Sequence, residues 1–181
     1  MRVIAGSAKG CGLESPKGHG TRPTADRVRE ALFSAIGDKI IGARFLDLFG
    51  GTGAVGIEAL SRGAAYTVFT DISPVCIKII EKNLNKTRLS DKSRLIAGDA
   101  AYVLERCLAG DRFDIIYLDP PYKKKLIDFS INTIVKNKII NLNGMVIAEY
   151  GSGENVYMAS GVEIIKIKKY GNTRLVFYGY I

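Results

Sequence analysis

The chain has 181 residues, 47% hydrophobic and 24% charged, within the ~100–200 residues of one ordinary globular domain, which argues against a two-lobed enzyme and against a disordered chain. Cys11, Cys76 and Cys107 are odd in number and far apart, with no CxxC pair or histidine-containing ligand cluster around them, so neither a disulfide framework nor a zinc site is expected, and no metal. The net charge of +8 is uneven: residues 1–30 carry six Lys or Arg against three Asp or Glu, residues 31–122 balance, and residues 123–181 carry nine against four, the pattern of a neutral core flanked by surfaces that meet a polyanion.

The chain opens MRVIAGSAKG, without a charged-then-apolar leader, and no apolar run reaches the ~18 residues of a membrane helix. A cytoplasmic location is expected. Residues 3–15 hold two short β-like pieces around a glycine-rich turn, and Thr24–Ile36 places Val28, Leu32, Phe33 and Ile36 on one helical face, with Thr24 as the expected cap. Short runs rich in β-branched and aromatic residues then predict buried strands at 43–49, 66–71, 94–99, 113–119 and 144–150. Helical spacing predicts helices at 54–62, 73–86 and 100–109, the second with Ser73 as N-cap and Pro74 at the first helical position. Residues 162–170 and 173–181 flank the turn dipeptide Gly171-Asn172 and predict an antiparallel hairpin. Alternation of strand and helix implies an α/β fold with a mostly parallel sheet covered on both faces. One domain is expected over 1–181, with 1–36 as a hairpin-and-helix extension.

Chemistry concentrates where the strands end. Asp47 to Gly56 contains G-x-G-x-x-G at Gly51, Gly53 and Gly56, leaving a strand and entering a helix, and glycines there allow a nucleotide-like ligand to approach the backbone. Asp71 follows 20 residues after Gly51, where a carboxylate accepts bonds from ribose hydroxyls. Such a site suits NAD or S-adenosylmethionine. Asp99 closes the third strand within reach of an adenine amine, and Asp119-Pro120-Pro121-Tyr122 closes the fourth. Two prolines hold a rigid loop that accepts but does not donate hydrogen bonds, which suits an amine. The Asp119 carboxylate and the Pro120 carbonyl would turn an amine's lone pair toward an electrophile, while Tyr122 stacks on its base.

Asp47–Gly56, Gly98-Asp99-Ala100 and Asp119-Pro120-Pro121-Tyr122 resemble the motifs of Rossmann-like S-adenosylmethionine methyltransferases that act on amino groups. With Arg2–Gly6, Thr21–Phe33 and Gly56–Ala64, the chain is similar over nearly its whole length to the bacterial 16S ribosomal RNA guanine-N2 methyltransferases of the RsmD type. That resemblance implies a seven-stranded, mostly parallel sheet with an antiparallel last strand. It implies S-adenosylmethionine as cofactor, held by Asp47, Phe49, Gly51, Gly53, Asp71, Ile72, Asp99 and Ala100, and catalysis by Asp119, Pro120, Pro121 and Tyr122. It also implies methyl transfer to the N2 amine of a guanine in 16S rRNA, a 966-type site, on naked RNA, the small ribosomal subunit or an assembly intermediate.

The basic ends then acquire a partner. Arg22, Thr24, Arg27 and Arg29 at the first helix, Lys123, Lys124 and Lys125 after the proline loop, and Arg174 in the last strand are candidate RNA contacts. The expected state is a monomer. An adenine-N6 DNA methyltransferase, a glutamine methyltransferase acting on protein, and a noncatalytic RNA-binding assembly protein that keeps the fold are the competing readings.

Overall fold

The computed structural model describes residues 1–16, 23–121 and 123–180, with backbone alone at 23–25, 123 and 124. Among the described residues, seven strands form one sheet: β1 (Arg44–Asp47), β2 (Tyr66–Asp71), β3 (Ser93–Ala97), β4 (Phe113–Leu118), β5 (Ile140–Gly151), β6 (Val162–Tyr170) and β7 (Thr173–Tyr180). Their order is β3-β2-β1-β4-β5-β7-β6. The first five pair in parallel, and β7 runs antiparallel to both β5 and β6. The chain therefore reverses direction across the sheet between β1 and β4, and ligands of open α/β sheets bind at that switch point.

Alternating side chains explain why the sheet is covered twice. Phe45, Ile115, Tyr117 and Ile147 join one core with α1 (Pro23–Ile36), α2 (Ala54–Ser61) and α3 (Pro74–Thr87). Leu46, Ile116, Leu118 and Val146 join the other, with Leu104 and with Ile127, Ile131 and Ile134 of a further helix. The period of two in the strands places consecutive apolar residues on opposite faces.

Ser73 caps α3 as the sequence implies, accepting the Cys76 N–H at 3.4 Å. Other boundaries differ. The helix expected over 100–109 is a single α-turn, α4 (Ala100–Tyr102), continued by a π-helical stretch, Val103–Cys107. Lys123–Lys136, read from its sequence only as a basic run, is a helix, α5, and buries the isoleucine stripe at 127, 131 and 134. The first helix already includes Pro23, so Thr24 lies inside it instead of capping it. The N-terminal pieces form a tight hairpin with one bridging pair, Arg2 and Gly12, closed by Val3 donating to the Cys11 carbonyl at 3.0 Å and Gly10 to the Val3 carbonyl at 2.9 Å.

That hairpin is tied to α2 by side chains that sequence reading passed over. Glu58 is fully buried, and its oxygens accept the N–H groups of Ile4 at 2.8 Å and Ala5 at 3.0 Å and the Arg62 Nε–H at 2.7 Å. The Ser61 hydroxyl donates to the Ala5 carbonyl at 2.5 Å and accepts from Ala8 at 3.0 Å. Gly6 lies at φ +84, and a Cβ there would sit 1.8 Å from the Ser61 carbonyl oxygen, so no side chain fits between hairpin and helix. Asn83 exchanges bonds with the backbone of Glu14, at 2.7 Å and 3.0 Å, and donates to the Thr52 carbonyl at 2.9 Å. A lone acid in the otherwise apolar run Ala54–Leu60 is the only sequence signal that pointed to Glu58.

Candidate active site

At the carboxyl ends of β1, β2, β3 and β4 lies a cavity of about 870 Å³. It is lined by Phe49 and the glycine loop, by Asp71 and Ile72, by Asp99 and Ala100, and by Asp119 and Pro121. Residues separated by more than 70 positions thus meet at one crevice because parallel strands all end on the same edge.

The loop is stitched by its own acids. Asp47 is 1% exposed, and its carboxylate accepts the Gly56 N–H at 3.0 Å. Burial pushes this carboxyl up to about 7, helped by the charges of Asp119 and Asp71 and opposed by the Gly56 N–H. Asp71 accepts the Gly51 N–H at 2.9 Å and the Ser73 N–H at 2.8 Å. Gly53 caps α2 at φ +76, a left-handed conformation that favours glycine. A Cβ on Gly56 would come within 2.3 Å of the Phe69 ring, so the third glycine serves helix-to-sheet contact, not the ligand. Gly51, by contrast, faces open space, with no atom within 4 Å of an added Cβ.

Asp99 caps α4 by accepting the Tyr102 N–H at 2.9 Å and also lines the cavity. Ile72 is 71% exposed at the cavity's edge, an apolar side chain placed where a flat ring could cover it. Pro120 is buried and Pro121 exposed. Tyr122 and Arg22 lie outside the described residues, as do the side chains of Thr24, Lys123 and Lys124.

A second cavity of about 420 Å³ adjoins the first, sharing Ala54, Val55, Tyr117 and Asp119 with it. Its far walls are Met1, Val28 and Arg29 of the N-terminal segment, Glu149 at the end of β5, and Asn172 and Thr173 at the β6–β7 turn. The Tyr117 hydroxyl donates to Glu149 at 2.8 Å. Burial holds that phenol well above the usual tyrosine range, and the neighbouring charges of Asp119 and Glu149 push the same way.

The expected RNA contacts divide. Arg27 and Lys125 are exposed. Arg29 is 4% exposed and donates to the Arg2 carbonyl at 2.6 Å and to Asp26 at 3.2 Å, which takes it off the phosphate-facing surface. Its position on the buried stripe beside Val28 explains this, since the guanidinium fastens the hairpin to α1. Arg174 donates to the carbonyls of Gly151 and Glu154 and holds the turn that follows β5.

Similarity to known proteins is extensive. The sequence profile of a family described as "Conserved hypothetical protein 95" matches residues 1–179. YlbH of Bacillus subtilis is 35% identical over 180 residues, 98% of each chain. Ribosomal RNA small subunit methyltransferase D of Escherichia coli is 36% identical over 137 residues, covering 76% of this chain and 68% of that one. The solved structure of yhhF from Escherichia coli superposes with a TM-score of 0.87 at 29% identity, covering 99% of this chain and 97% of the other.

Proposed function

This chain belongs to the conserved hypothetical protein 95 family, of RsmD-type methyltransferases, and from that membership we propose that it transfers a methyl group from S-adenosylmethionine to the exocyclic N2 amine of a guanine in small-subunit ribosomal RNA. Methyl transfer to ribosomal RNA is the coarse activity that its relatives support. The guanine and its N2 are the finer reading, and the observation that supports it is the meeting of Asp119 and Pro121, on the two sides of Pro120, at the wall of the cavity of about 870 Å³.

The residues present fit the cofactor. Asp71 keeps acceptor capacity after its two backbone bonds, as a carboxylate with about four lone-pair sites does, and suits the ribose hydroxyls. Asp99 suits an adenine amine, Phe49 and Ile72 the faces of the ring, and open Gly51 the close approach of a ligand to backbone. Bound there, S-adenosylmethionine supplies a methyl group made electrophilic by its sulfonium. Asp47 acts indirectly, holding the loop through Gly56.

An exocyclic amine on a purine is a weak nucleophile because its lone pair is conjugated with the ring. Accepting its two N–H groups on the Asp119 carboxylate and the Pro120 carbonyl localises that lone pair and stabilises the positive charge that develops on nitrogen. Tyr122 stacks on the base. Asp119 orients the amine; as the N–C bond forms the methyl's bond to sulfur would break, its electron pair staying on the thioether product, and the proton then passes from nitrogen to water. A paired guanine must leave its stack to enter. Arg22, Arg27 and the lysines at 123–125 meet phosphates.

The test is incubation of the protein with labelled cofactor and small ribosomal subunits, or their naked RNA, from cells lacking the activity, followed by mapping of the modified nucleotide. Label on a guanine N2 is the expected result. Label on adenine, on protein or nowhere would refute the reading.

A further inference from the structure

The smaller cavity holds a carboxylate that the methyl-transfer chemistry does not use. In the parallel pairing of β4 and β5, Tyr117 stands level with Ile147 and Leu118 with Ala148. Asp119, the first residue past the end of β4, therefore follows a pair whose β5 member is succeeded by Glu149, still inside its strand. Within β5 side chains two residues apart share a sheet face, so Glu149 follows Ile147 to the α1–α2 side, and it lines the smaller cavity together with Asp119. Tyr117 is 4% exposed, and its hydroxyl donates to one Glu149 oxygen at 2.8 Å, which fixes the carboxylate's orientation.

We infer that Glu149 is a specificity-determining residue that accepts the guanine N1–H while the neighbouring Asp119 corner holds the N2 amine. The inference rests on the guanine-N2 reading and names the group that selects the base. Along its Watson–Crick edge guanine presents N1–H and the N2 amine as adjacent donors, which two side-by-side carboxylates match. Adenine presents its N1 as an acceptor beside the N6 amine, so Glu149 would oppose lone pair to lone pair and reject it. A carboxylate offers about four lone-pair sites, and the Tyr117 hydroxyl takes one of those on Glu149. The discrimination thus comes from a repulsive contact as much as from an attractive one.

The experiment uses the full-length protein and small subunits reconstituted with 16S RNA carrying, at the mapped target, guanine or 2-aminopurine. The analogue keeps the N2 amine but has an acceptor at N1. Wild-type protein should favour guanine by roughly 10- to 100-fold in kcat/KM, the scale of one hydrogen bond to a charged group. Glu149→Gln keeps an oxygen for Tyr117 and gains an amide that can donate to N1. It should lower transfer to guanine and bring the two substrates within about threefold, with affinity for S-adenosylhomocysteine unchanged. A wild-type preference below about threefold overturns the inference whether or not the variant folds. So does a Glu149→Gln ratio equal to that of wild type. If wild-type protein leaves guanine N2 unmodified, the guanine-N2 reading falls and this inference with it, an outcome separate from loss of the Glu149 effect alone.

Discussion

The carboxylate of Asp71 accepts the backbone N–H of Gly51 at 2.9 Å, across 20 residues of sequence. One side chain thus does two things, since the acid expected to meet the ribose also fixes the loop over which the ligand lies. Asp71→Asn keeps one acceptor oxygen and turns an amide N–H toward a backbone N–H. Affinity for S-adenosylhomocysteine should fall by roughly 10- to 100-fold, and the melting midpoint by a few degrees, at about 2–4 °C per kcal/mol for a domain of this size. Calorimetric titration and thermal melts measure the two. A lowered midpoint with unchanged affinity would leave Asp71 as a loop anchor only.

Asp119→Ala separates turnover from cofactor binding. The side chain lines both cavities, yet the proposed cofactor contacts come from Asp71, Asp99 and the glycine loop. Removing one charge-stabilising group lowers kcat by about 10²- to 10³-fold in comparable sites, while S-adenosylhomocysteine should bind within about threefold of wild type. Retained single-turnover transfer would remove Asp119 from the mechanism.

The sheet and the strand-end acids were legible because both are periodic or local signals. Tyr66–Asp71 and Val162–Tyr170 match their strands end for end, since β-branched runs bounded by turn residues leave little freedom. What stayed illegible depends on distant partners. Glu58 reads as a surface acid until the hairpin is folded over it, and Arg29 as a surface cation for a phosphate or a neighbouring acid until Arg2 and Asp26 surround it. The isoleucine stripe of α5 was masked by the lysines that open the segment. Glu149, one residue in a long strand, carries no motif at all, because only strand register brings it beside Asp119.

Glu58 should be the most damaging surface-distant acid to remove. Glu58→Ala deletes the acceptor of two backbone N–H groups and the Arg62 guanidinium and leaves Arg29, 3.8 Å away, facing an emptied site. Breaking a buried pair by removing one partner costs about 3–5 kcal/mol. Amide exchange at Ile4 and Ala5 should accelerate well beyond that of the central strands. Protection unchanged at those two amides would show that the hairpin is held by its apolar contacts alone.

RNA affinity should distinguish Arg27 and Lys125, which are exposed, from the buried Arg29. If Lys123, Lys124, Lys125 and Arg27 each neutralise a phosphate, replacing any one by Gln should reduce the slope of log affinity against log salt by about 0.7–0.9 with little change in melting midpoint. Arg29→Gln should instead lower the midpoint and leave the slope alone, because its guanidinium is spent on Arg2 and Asp26. Equal slope changes for Arg27→Gln and Arg29→Gln would contradict the division that burial draws between them.

Asp47 makes stability depend on pH in a direction opposite to that of a salt-bridged acid. Its carboxyl is raised to about 7 in the folded chain from an ordinary value of 3.8, so the folded state holds a proton that the unfolded chain releases. This contribution is fully present below about pH 4 and is lost as pH climbs through about 7. Asn at this position still accepts the Gly56 N–H but never ionises. Asp47→Asn should therefore melt close to wild type at pH 4 and a few degrees higher at pH 8, with the gap opening between those values. A gap that stays constant across the range would mean that Asp47 does not titrate there, and that water or a counter-charge reaches its carboxylate.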